Sequence, residues 1–230
     1  MSRSNTNHIA VKALTAMPYF AELDPATLET VAQTAIRRDY KAGQIVSWAG
    51  EPCAGLCVVQ EGWLKVIKLS ADGREQVLRI VVAGETFGEV SVFASGPNPA
   101  TVVALEPSIV LIIQRAVMLR LLDRCPGIAR HILQNMAERV LHLVTLVEDL
   151  SLRTVEARLA RLLLERADEG TLHRRRWATQ AEMAARLGTV LVVLNRALND
   201  LAAEGLIEVK RHQIRIVDRE ELAARAMLNE

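Results

Sequence analysis

Short runs of β-branched and aliphatic residues, separated by glycine, fill the first 114 residues and constrain the fold most strongly. The runs are QIVSW, LCVVQ, WLKVIKL, QVLRIVV, TVVAL and SIVLII. Their length and spacing predict an antiparallel β sandwich or barrel. The Asp72-Gly73 pair between two of the runs predicts a tight hairpin. Ahead of the strands, Asp24 and Pro25 predict the capped start of a short helix over residues 24–37.

A long amphipathic helix is predicted after Pro126, with apolar residues at the four- and three-residue spacing of a heptad seam. The predicted dimerisation seam comprises Ala129, Leu133, Met136, Val140, Leu143, Val147 and Leu150. A second apolar face comprises Ile132, Leu141, Val144 and Leu146. Two faces favour a helix that packs on its own β domain and on a copy of itself. The alternative is a helix packed only within its own domain.

From about residue 151 the pattern predicts a winged helix-turn-helix. Thr179 and Glu182 have the Thr-x-x-Glu spacing of a capping box, and a second helix is predicted over residues 190–204. The segment LIEVKRHQIRIV predicts two strands around the turn at residues 210–212. A hinge is expected around residues 151–154, where the seam ends.

Composition and charge exclude several classes of protein. A chain of 230 residues that is 50% hydrophobic and 24% charged is globular rather than disordered. It has no apolar run of membrane-spanning length, and its polar start is unlike a signal peptide, so we expect a soluble, cytoplasmic protein with no membrane partner. No set of residues suggests a catalytic site, so an enzyme is not expected.

Three segments, in this order, resemble the CRP/FNR family of bacterial transcription regulators. They are YKAGQIVSWAGEPCAGLCVVQEGWLKVIKLSADGREQVL, AGETFGEVSVF and the TQAEMAARLGTV…LNRALNDLAAEGLIEV region. The resemblance implies an α+β fold: an N-terminal double-stranded β-helix (a jelly-roll-like β-roll), a long dimerisation helix and a winged helix-turn-helix. The implied domains are an effector-sensing roll at 1–125, the central helix at 126–150 and a DNA-binding domain at 151–230. The implied partners are a second copy, double-stranded DNA with a two-fold symmetric site, an unidentified small-molecule effector and RNA polymerase.

The resemblance also places DNA contacts on the helix-turn-helix and the wing. The expected residues are Thr179, Gln180, Thr189, Val190, Leu191, Val192, Asn195, Arg196, Asn199, Lys210 and Arg211. The family often has Arg and Glu where this chain has Leu191 and Val192, and aliphatic side chains cannot make those polar base contacts.

Two interpretations of this departure stay open. In one, the aliphatic residues contact thymine methyl groups while Arg196, Asn195 and Asn199 supply polar contacts to bases or phosphates. The DNA backbone is then anchored by Thr179, Gln180, the HRRRW run and the wing. In the other, base readout has been lost, and the exposed patch binds a protein or nothing.

The effector pocket departs from the family as well. The expected pocket residues are Phe87, Gly88, Glu89, Val90, Asn98, Pro99, Ala100 and Thr101. Relatives that bind cyclic nucleotides carry Arg and then Ser or Thr after the Gly-Glu pair, where this chain has Asn98 and Pro99. Asparagine cannot form the charged pair with phosphate, and proline lacks both a side-chain donor and an N–H. Cyclic AMP is therefore not the expected effector, and the effector's identity stays open.

The cysteines and histidines allow alternative cofactors. We expect Cys53 and Cys57 to be small packed residues, with a redox pair as the alternative. The N-terminal cysteine group of the family's iron–sulfur sensors is missing, so neither a cluster nor another metal site is expected. His131 and His142 share one face of the central helix, where they are either solvated or haem ligands.

Overall fold

A computed structural model describes residues 10–173, 175 and 178–227. The chain divides into two compact units, one of residues 1–68 and 79–140, the other of residues 69–78 and 141–230. The predicted α+β class is confirmed, with an N-terminal β-roll, a long helix and a C-terminal winged helix-turn-helix.

Strands dominate the chain as far as Ile113. The first part contains α1 (Pro25–Thr34), β1 (Ile36–Tyr40), β2 (Ile45–Ser47), β3 (Leu56–Glu61), β4 (Trp63–Leu69), β5 (Glu75–Val82), β6 (Thr86–Phe87), α2 (Glu89–Ala94), β7 (Thr101–Ala104), β8 (Ser108–Ile113) and α3 (Arg115–Arg124). The six predicted runs coincide with β2, β3, β4, β5, β7 and β8. Strands β1 and β6 were not predicted.

Two four-stranded sheets form the roll, in the orders β1-β8-β3-β6 and β2-β7-β4-β5. Strand β3 is buried on both faces because its side chains alternate between two cores. Leu56 and Val58 pack in one core with the helices, whereas Cys57 and Val59 pack in the other with residues of the second sheet. The roll is therefore closed on one side by helices and filled between its sheets.

The helix expected over residues 24–37 is shorter than predicted. Asp24 caps it as expected, since its Oδ1 accepts a hydrogen bond from the N–H of Thr27 at 3.0 Å. The predicted end at Arg37 is wrong, because α1 ends at Thr34 and Arg37 lies in β1, paired antiparallel with Leu111 of β8. Pairing with a distant strand overrode the local helical pattern.

The predicted central helix is α4 (Pro126–Leu152), 27 residues long. Its Ile128 and Ile132 are buried in the core beneath the helices of the roll. The second apolar face packs within the single chain only in part, because Leu141 and Val144 are exposed. Of the seam residues, Met136 packs partly against that core. The others named for dimerisation are exposed in the single chain: Leu133, Val140, Leu143, Val147 and Leu150.

Helices and a small sheet form the C-terminal part. Its elements are α5 (Val155–Arg166), β9 (Thr171–His173), α6 (Gln180–Arg186), α7 (Leu191–Ala203), β10 (Ile207–Val209), β11 (Gln213–Ile216) and α8 (Arg219–Ala226). The two predicted wing strands are β10 and β11, and β9, which was not predicted, joins them in the order β10-β11-β9. Of the HRRRW run, Arg174, Arg176 and Trp177 lie outside the described residues.

Candidate functional site

Glycine at position 88 places Glu89 inside the roll. Gly88 precedes α2 with a left-handed φ of +92°, and a Cβ there would lie 2.9 Å from the carbonyl oxygen of Gly55. Any other side chain would be strained and crowded at this position. The turn directs Glu89 inward, and only 1% of the surface of this residue is exposed. A buried carboxylate of this kind needs a partner.

The partner is Arg139 on α4, fifty positions further along the chain. Arg139 Nη2 donates to Glu89 Oε1 at 2.6 Å, and Nη1 donates to Oε2. The same guanidinium donates to the carbonyl oxygen of Thr86 at 2.8 Å, and the Thr86 hydroxyl donates to Glu89. This paired-fork geometry fixes both groups and ties the start of α2 to α4.

Sequence reasoning placed Glu89 in a binding pocket but missed Arg139. One signal was available, since Arg139 follows Ile132 by seven residues and therefore shares the buried face of the helix. An arginine on a buried stripe needs a carboxylate, and Glu89 is the buried carboxylate of the roll.

Two further charged or polar groups surround this pair. Arg79 Nη2 donates to the carbonyl oxygen of Thr86 at 2.5 Å. Burial lowers the pKa of Arg79, and the positive charge of Arg139 lowers it further. Burial raises the pKa of Tyr19 to about 12, with the charge of Glu89 adding to the effect. Two guanidinium groups therefore lie around one buried carboxylate, an arrangement that can hold a ligand but contains no activated nucleophile.

The remaining predicted pocket residues are not all brought to this network. Phe87 is buried between the sheets, and Ala100 is buried just before β7. Val90 and Pro99 are exposed instead. A polar pocket residue that was predicted to meet a ligand is used by the fold, because Asn98 Oδ1 accepts from the Ser91 hydroxyl at 3.3 Å.

Thr101 is used in the same way. Its hydroxyl oxygen accepts a hydrogen bond from the N–H of Ala49 at 3.1 Å, and the residue is 4% exposed. The backbone N–H of Asn98 likewise donates to the carbonyl oxygen of Glu51 at 2.9 Å. The segment after α2 is thus tied to the loop around residues 49–51.

A cleft of about 240 Å³ lies beside the network, between the N-terminal segment and α4. It is lined by Met17, Tyr19, Gly84, Glu85, Thr86, His131, Gln134, Asn135 and Glu138. His131 Nδ1 is 3.1 Å from the carbonyl oxygen of Gly127, and His142 Nε2 is 2.9 Å from that of Leu78. Each imidazole therefore has a backbone partner, and the haem alternative remains a prediction. Among the described residues, no group of three His, Cys, Asp or Glu is arranged to hold a metal ion.

The two roll cysteines are packed near Gly88. Cys57 is buried between the sheets, and burial raises the pKa of its thiol. Cys53 is half-buried, with its sulfur 3.2 Å from the carbonyl oxygen of Gly55. Both are free thiols. A thiol with a raised pKa is a poor nucleophile, which fits packing better than redox chemistry.

The helix-turn-helix presents a second candidate site. Thr179 caps α6, its hydroxyl oxygen accepting from the N–H of Glu182 at 3.2 Å, as the capping-box pattern predicts. Gln180 is the first residue of α6, and the N–H of Thr189 donates to the carbonyl oxygen of Ala184 at 3.0 Å. The predicted second helix is α7, which begins one residue late, with Val190 at its N-cap.

Burial along α7 separates a core face from an outer face. Leu194, Ala197, Leu198 and Leu201 are buried, as their spacing predicts. Val192, Arg196 and Asn199 are exposed, and Asn195 is half-buried. The exposed residues recur at the spacing of one outward-facing helical stripe, so this stripe is available to a partner.

The wing carries exposed cations that are partly neutralised. Lys210 Nζ lies 3.3 Å from Glu208 Oε1, and Arg215 Nη2 lies 2.8 Å from Glu208 Oε2. Arg211 is exposed at the tip of the hairpin. Exposed ion pairs contribute little to stability, so these side chains can exchange Glu208 for another anion at small cost.

None of the helices within residues 10–173, 175 and 178–227 combines the length and the apolar character that a membrane span requires.

Comparisons with known proteins cover both sites. The chain matches the model of the cyclic nucleotide-binding domain over residues 37–125 and that of the Crp-like helix-turn-helix domain over residues 157–225. It is 28% identical over 213 residues to the CRP-like cAMP-activated global transcriptional regulator of Mycobacterium tuberculosis, covering 90% of this chain and 95% of the relative. It is 29% identical over 194 residues to the Cyclic AMP receptor protein of Thermus thermophilus, covering 84% and 88%. The solved structure of FixK2 from Bradyrhizobium japonicum has the same fold, with a TM-score of 0.71 at 23% identity over 84% of this chain and 98% of that one.

Proposed function

We propose, from the premise that this chain belongs to the CRP/FNR family of transcription regulators, that it binds a two-fold symmetric DNA site as a homodimer under the control of a small-molecule effector. Members of this family are regulators of transcription and not enzymes. The observation that carries the proposal is the outer face of α7, where Arg196 and Asn199 are exposed while the opposite face is buried.

The surroundings of α7 support contact with DNA. The start of α6 and the wing flank the helix in the helix-turn-helix arrangement, and both carry groups that can bind phosphate. Thr179 and Gln180 lie at the start of α6, and Lys210 and Arg211 lie at the wing tip. Phosphate contacts of this kind set the register of a protein on the duplex.

The exposed seam of α4 supports the homodimer. Leu133, Val140, Leu143 and Val147 recur at heptad spacing and are exposed in the single chain. Water-exposed aliphatic stripes of this length are covered in stable proteins, and a second copy of the same helix offers the matching surface. A dimer would present two α7 helices to half-sites about 34 Å apart. A promoter-bound dimer would act through RNA polymerase.

The Glu89–Arg139 pair supports an effector that acts at the roll. A ligand that competes for Glu89 or Arg139 would alter the link between α2 and α4, which the bidentate ion pair maintains. A ligand that binds more tightly to one arrangement of this link than to the other would shift the population towards or away from the state that binds DNA.

We infer that this effector is not cyclic AMP, although two relatives are named for it. The segment after Glu89 offers no cation to a cyclic phosphate, Pro99 lacks an N–H, and Asn98 is engaged with Ser91. Isothermal calorimetry should detect no binding of cyclic AMP by the purified dimer. A dissociation constant in the micromolar range would overturn the inference.

Selection from random duplex DNA by the purified dimer, at two salt concentrations, tests DNA binding. We expect an enriched palindrome whose affinity falls as salt rises, because the wing and α6 contribute phosphate contacts. Failure to enrich any sequence, with binding that disappears at the higher salt concentration, would contradict sequence-specific binding.

A second candidate is a dimeric sensor that has lost specific DNA readout. The exposed aliphatic residues at the start of α7 favour it, because Leu191 and Val192 stand where the family has polar base-contacting groups. Replacing them with Arg and Glu separates the two candidates. A rise in affinity for GC-bearing half-sites would indicate that α7 still enters the major groove.

A further inference from the structure

We propose that α7 reads A·T base pairs and that Val192 is the residue that recognises the methyl group of thymine. This inference rests on the proposed DNA binding and deepens it, since it names the chemical group that an aliphatic helix start can recognise.

Of the four aliphatic residues at the start of α7, Val192 is the most exposed. The side of α7 that carries it is the most exposed, with Val192 78% exposed against 42% for Leu191 and 40% for Val193. Successive residues of a helix are rotated by about 100°. Val192 therefore lies at the centre of the outward face, and its two neighbours lie on the flanks.

The same outward stripe continues with polar residues one and two turns later. Arg196 and Asn199 follow Val192 at spacings of four and seven residues. Arg196 is held only weakly, since its Nε is 3.9 Å from Asp200 Oδ2 and its side chain is 85% exposed. The Asn199 side chain is exposed, and an asparagine amide pairs in bidentate fashion with adenine in the major groove.

Base chemistry selects an A·T pair for the first turn of α7. Guanine is read by Arg or Lys, cytosine by Asp or Glu, and the first turn of α7 contains none of these. The C5-methyl group of thymine is the apolar feature that unmodified base pairs present in the major groove. An aliphatic helix start and an amide on the next turns therefore match thymine and adenine.

The patch suits DNA better than a protein partner. Stable protein interfaces bury about 1,200–2,000 Å² in total. The aliphatic patch consists of four consecutive residues, Val190 to Val193, and the same helix face carries the exposed Arg196. A narrow apolar edge beside cationic and amide groups matches a groove lined by phosphates.

Selection from two libraries tests the proposal without a known operator. One library is synthesised with thymine and the other with uracil, which differs from thymine only by the methyl group. We expect the thymine library to enrich an A·T-containing palindrome, and the uracil library to lose the preference at the thymine opposite Val192. In matched duplexes, removing one methyl should weaken binding about four-fold, and removing it from both half-sites about fifteen-fold.

Two variants make the test specific to Val192. Val192→Ser should bring the thymine-to-uracil affinity ratio at this position close to one, because serine offers no apolar contact. Val193→Ser is the matched control, since it makes the same change on the flank of the same turn. It should leave the ratio unchanged.

The outcomes separate this inference from the proposed function. Enrichment of a palindrome that binds equally well with uracil, or of a G·C site opposite Val192, would overturn methyl recognition while leaving the regulator intact. Absence of enrichment from both libraries would overturn both. A ratio that Val193→Ser reduces as much as Val192→Ser would assign the methyl contact to the patch rather than to Val192 and would overturn the assignment.

Discussion

At the scale of single residues, the ion pair between Glu89 and Arg139 has the largest predicted effect on stability. Glu89 has no exposed side-chain surface, so removing its partner leaves a buried charge. Arg139→Met should lower the free energy of unfolding by about 3–5 kcal/mol, measured by urea titration at neutral pH.

The double variant Arg139→Met with Glu89→Gln is the control, because it removes the stranded charge together with its partner. It should be more stable than Arg139→Met alone. Equal destabilisation in both variants would contradict the pair as a coupled unit.

Tyr19 gives a pH-dependent prediction at the same scale. Burial raises its pKa from 10.0 to about 12, so the folded state keeps the phenol proton at pH values where the unfolded chain releases it. Its contribution to stability is complete below pH 10 and is lost as the pH rises to about 12, amounting to about 2–3 kcal/mol. Unfolding measured across this range should show a fall in stability that Tyr19→Phe reduces. An unchanged pH dependence in Tyr19→Phe would refute the shift.

Whether a contact of a single residue could be predicted depends on how far apart its partners are along the chain. The caps at Asp24 and Thr179 were predictable because each hydroxyl or carboxylate bonds an N–H three residues later. The pairing of Glu89 with Arg139 spans fifty positions and depends on which face of α4 the roll covers. A single sequence shows that both residues are present but does not show that they form an ion pair.

At the scale of elements, local sequence patterns predicted the strands that lie between clear turns. They failed where pairing with a distant strand determines the secondary structure. The Asp24–Arg37 segment has a helical pattern, yet its end pairs with β8, which lies about seventy residues later. The two-residue β6 and the three-residue β9 are too short for a detectable alternation.

The start of α5 offers an element-scale prediction. The Thr154 hydroxyl oxygen accepts from the N–H of Ala157 at 3.1 Å, which satisfies one of the free donors of the first turn. Thr154→Ala should destabilise the protein by about 1 kcal/mol in thermal or urea unfolding. Thr154→Ser keeps the cap oxygen and should lose much less. If Ser and Ala cost the same, the cap is not the source of the effect.

The junction before α5 also bears on the expected hinge at residues 151–154. Arg153 lies between α4 and α5 and donates to the carbonyl oxygen of Ala226 at 2.5 Å and to Glu148 at 2.8 Å. A hinge motion at residues 151–154 would have to break these contacts. The hinge remains a prediction. The two candidate sites were predictable only in part. The periodicity of α7 shows which of its side chains point outward, but the sequence of the loop around Asn98 does not show which contacts its side chains make.

At the scale of the whole molecule, the exposed seam of α4 makes the proposed dimer the state on which the proposed DNA binding would depend. Leu143 lies on the seam and Leu141 lies off it, and both are exposed in the single chain. Leu143→Asp should convert the dimer to monomers in sedimentation experiments, because a dimer would bury two unpaired carboxylates at the seam. Leu141→Asp adds the same charge to the same helix and should stay dimeric.

The same pair of variants connects assembly with DNA binding. A monomer can engage one half-site at a time and loses the gain from linked binding, which is commonly 10²–10⁴-fold. Leu143→Asp should therefore bind a palindrome only about as well as it binds a single half-site, whereas Leu141→Asp should keep the preference for the palindrome. If Leu143→Asp is monomeric and still prefers the palindrome, then two copies assemble on the DNA without the seam, and α4 has another role. If Leu141→Asp also dissociates, the dimer interface extends around the helix to the second apolar face.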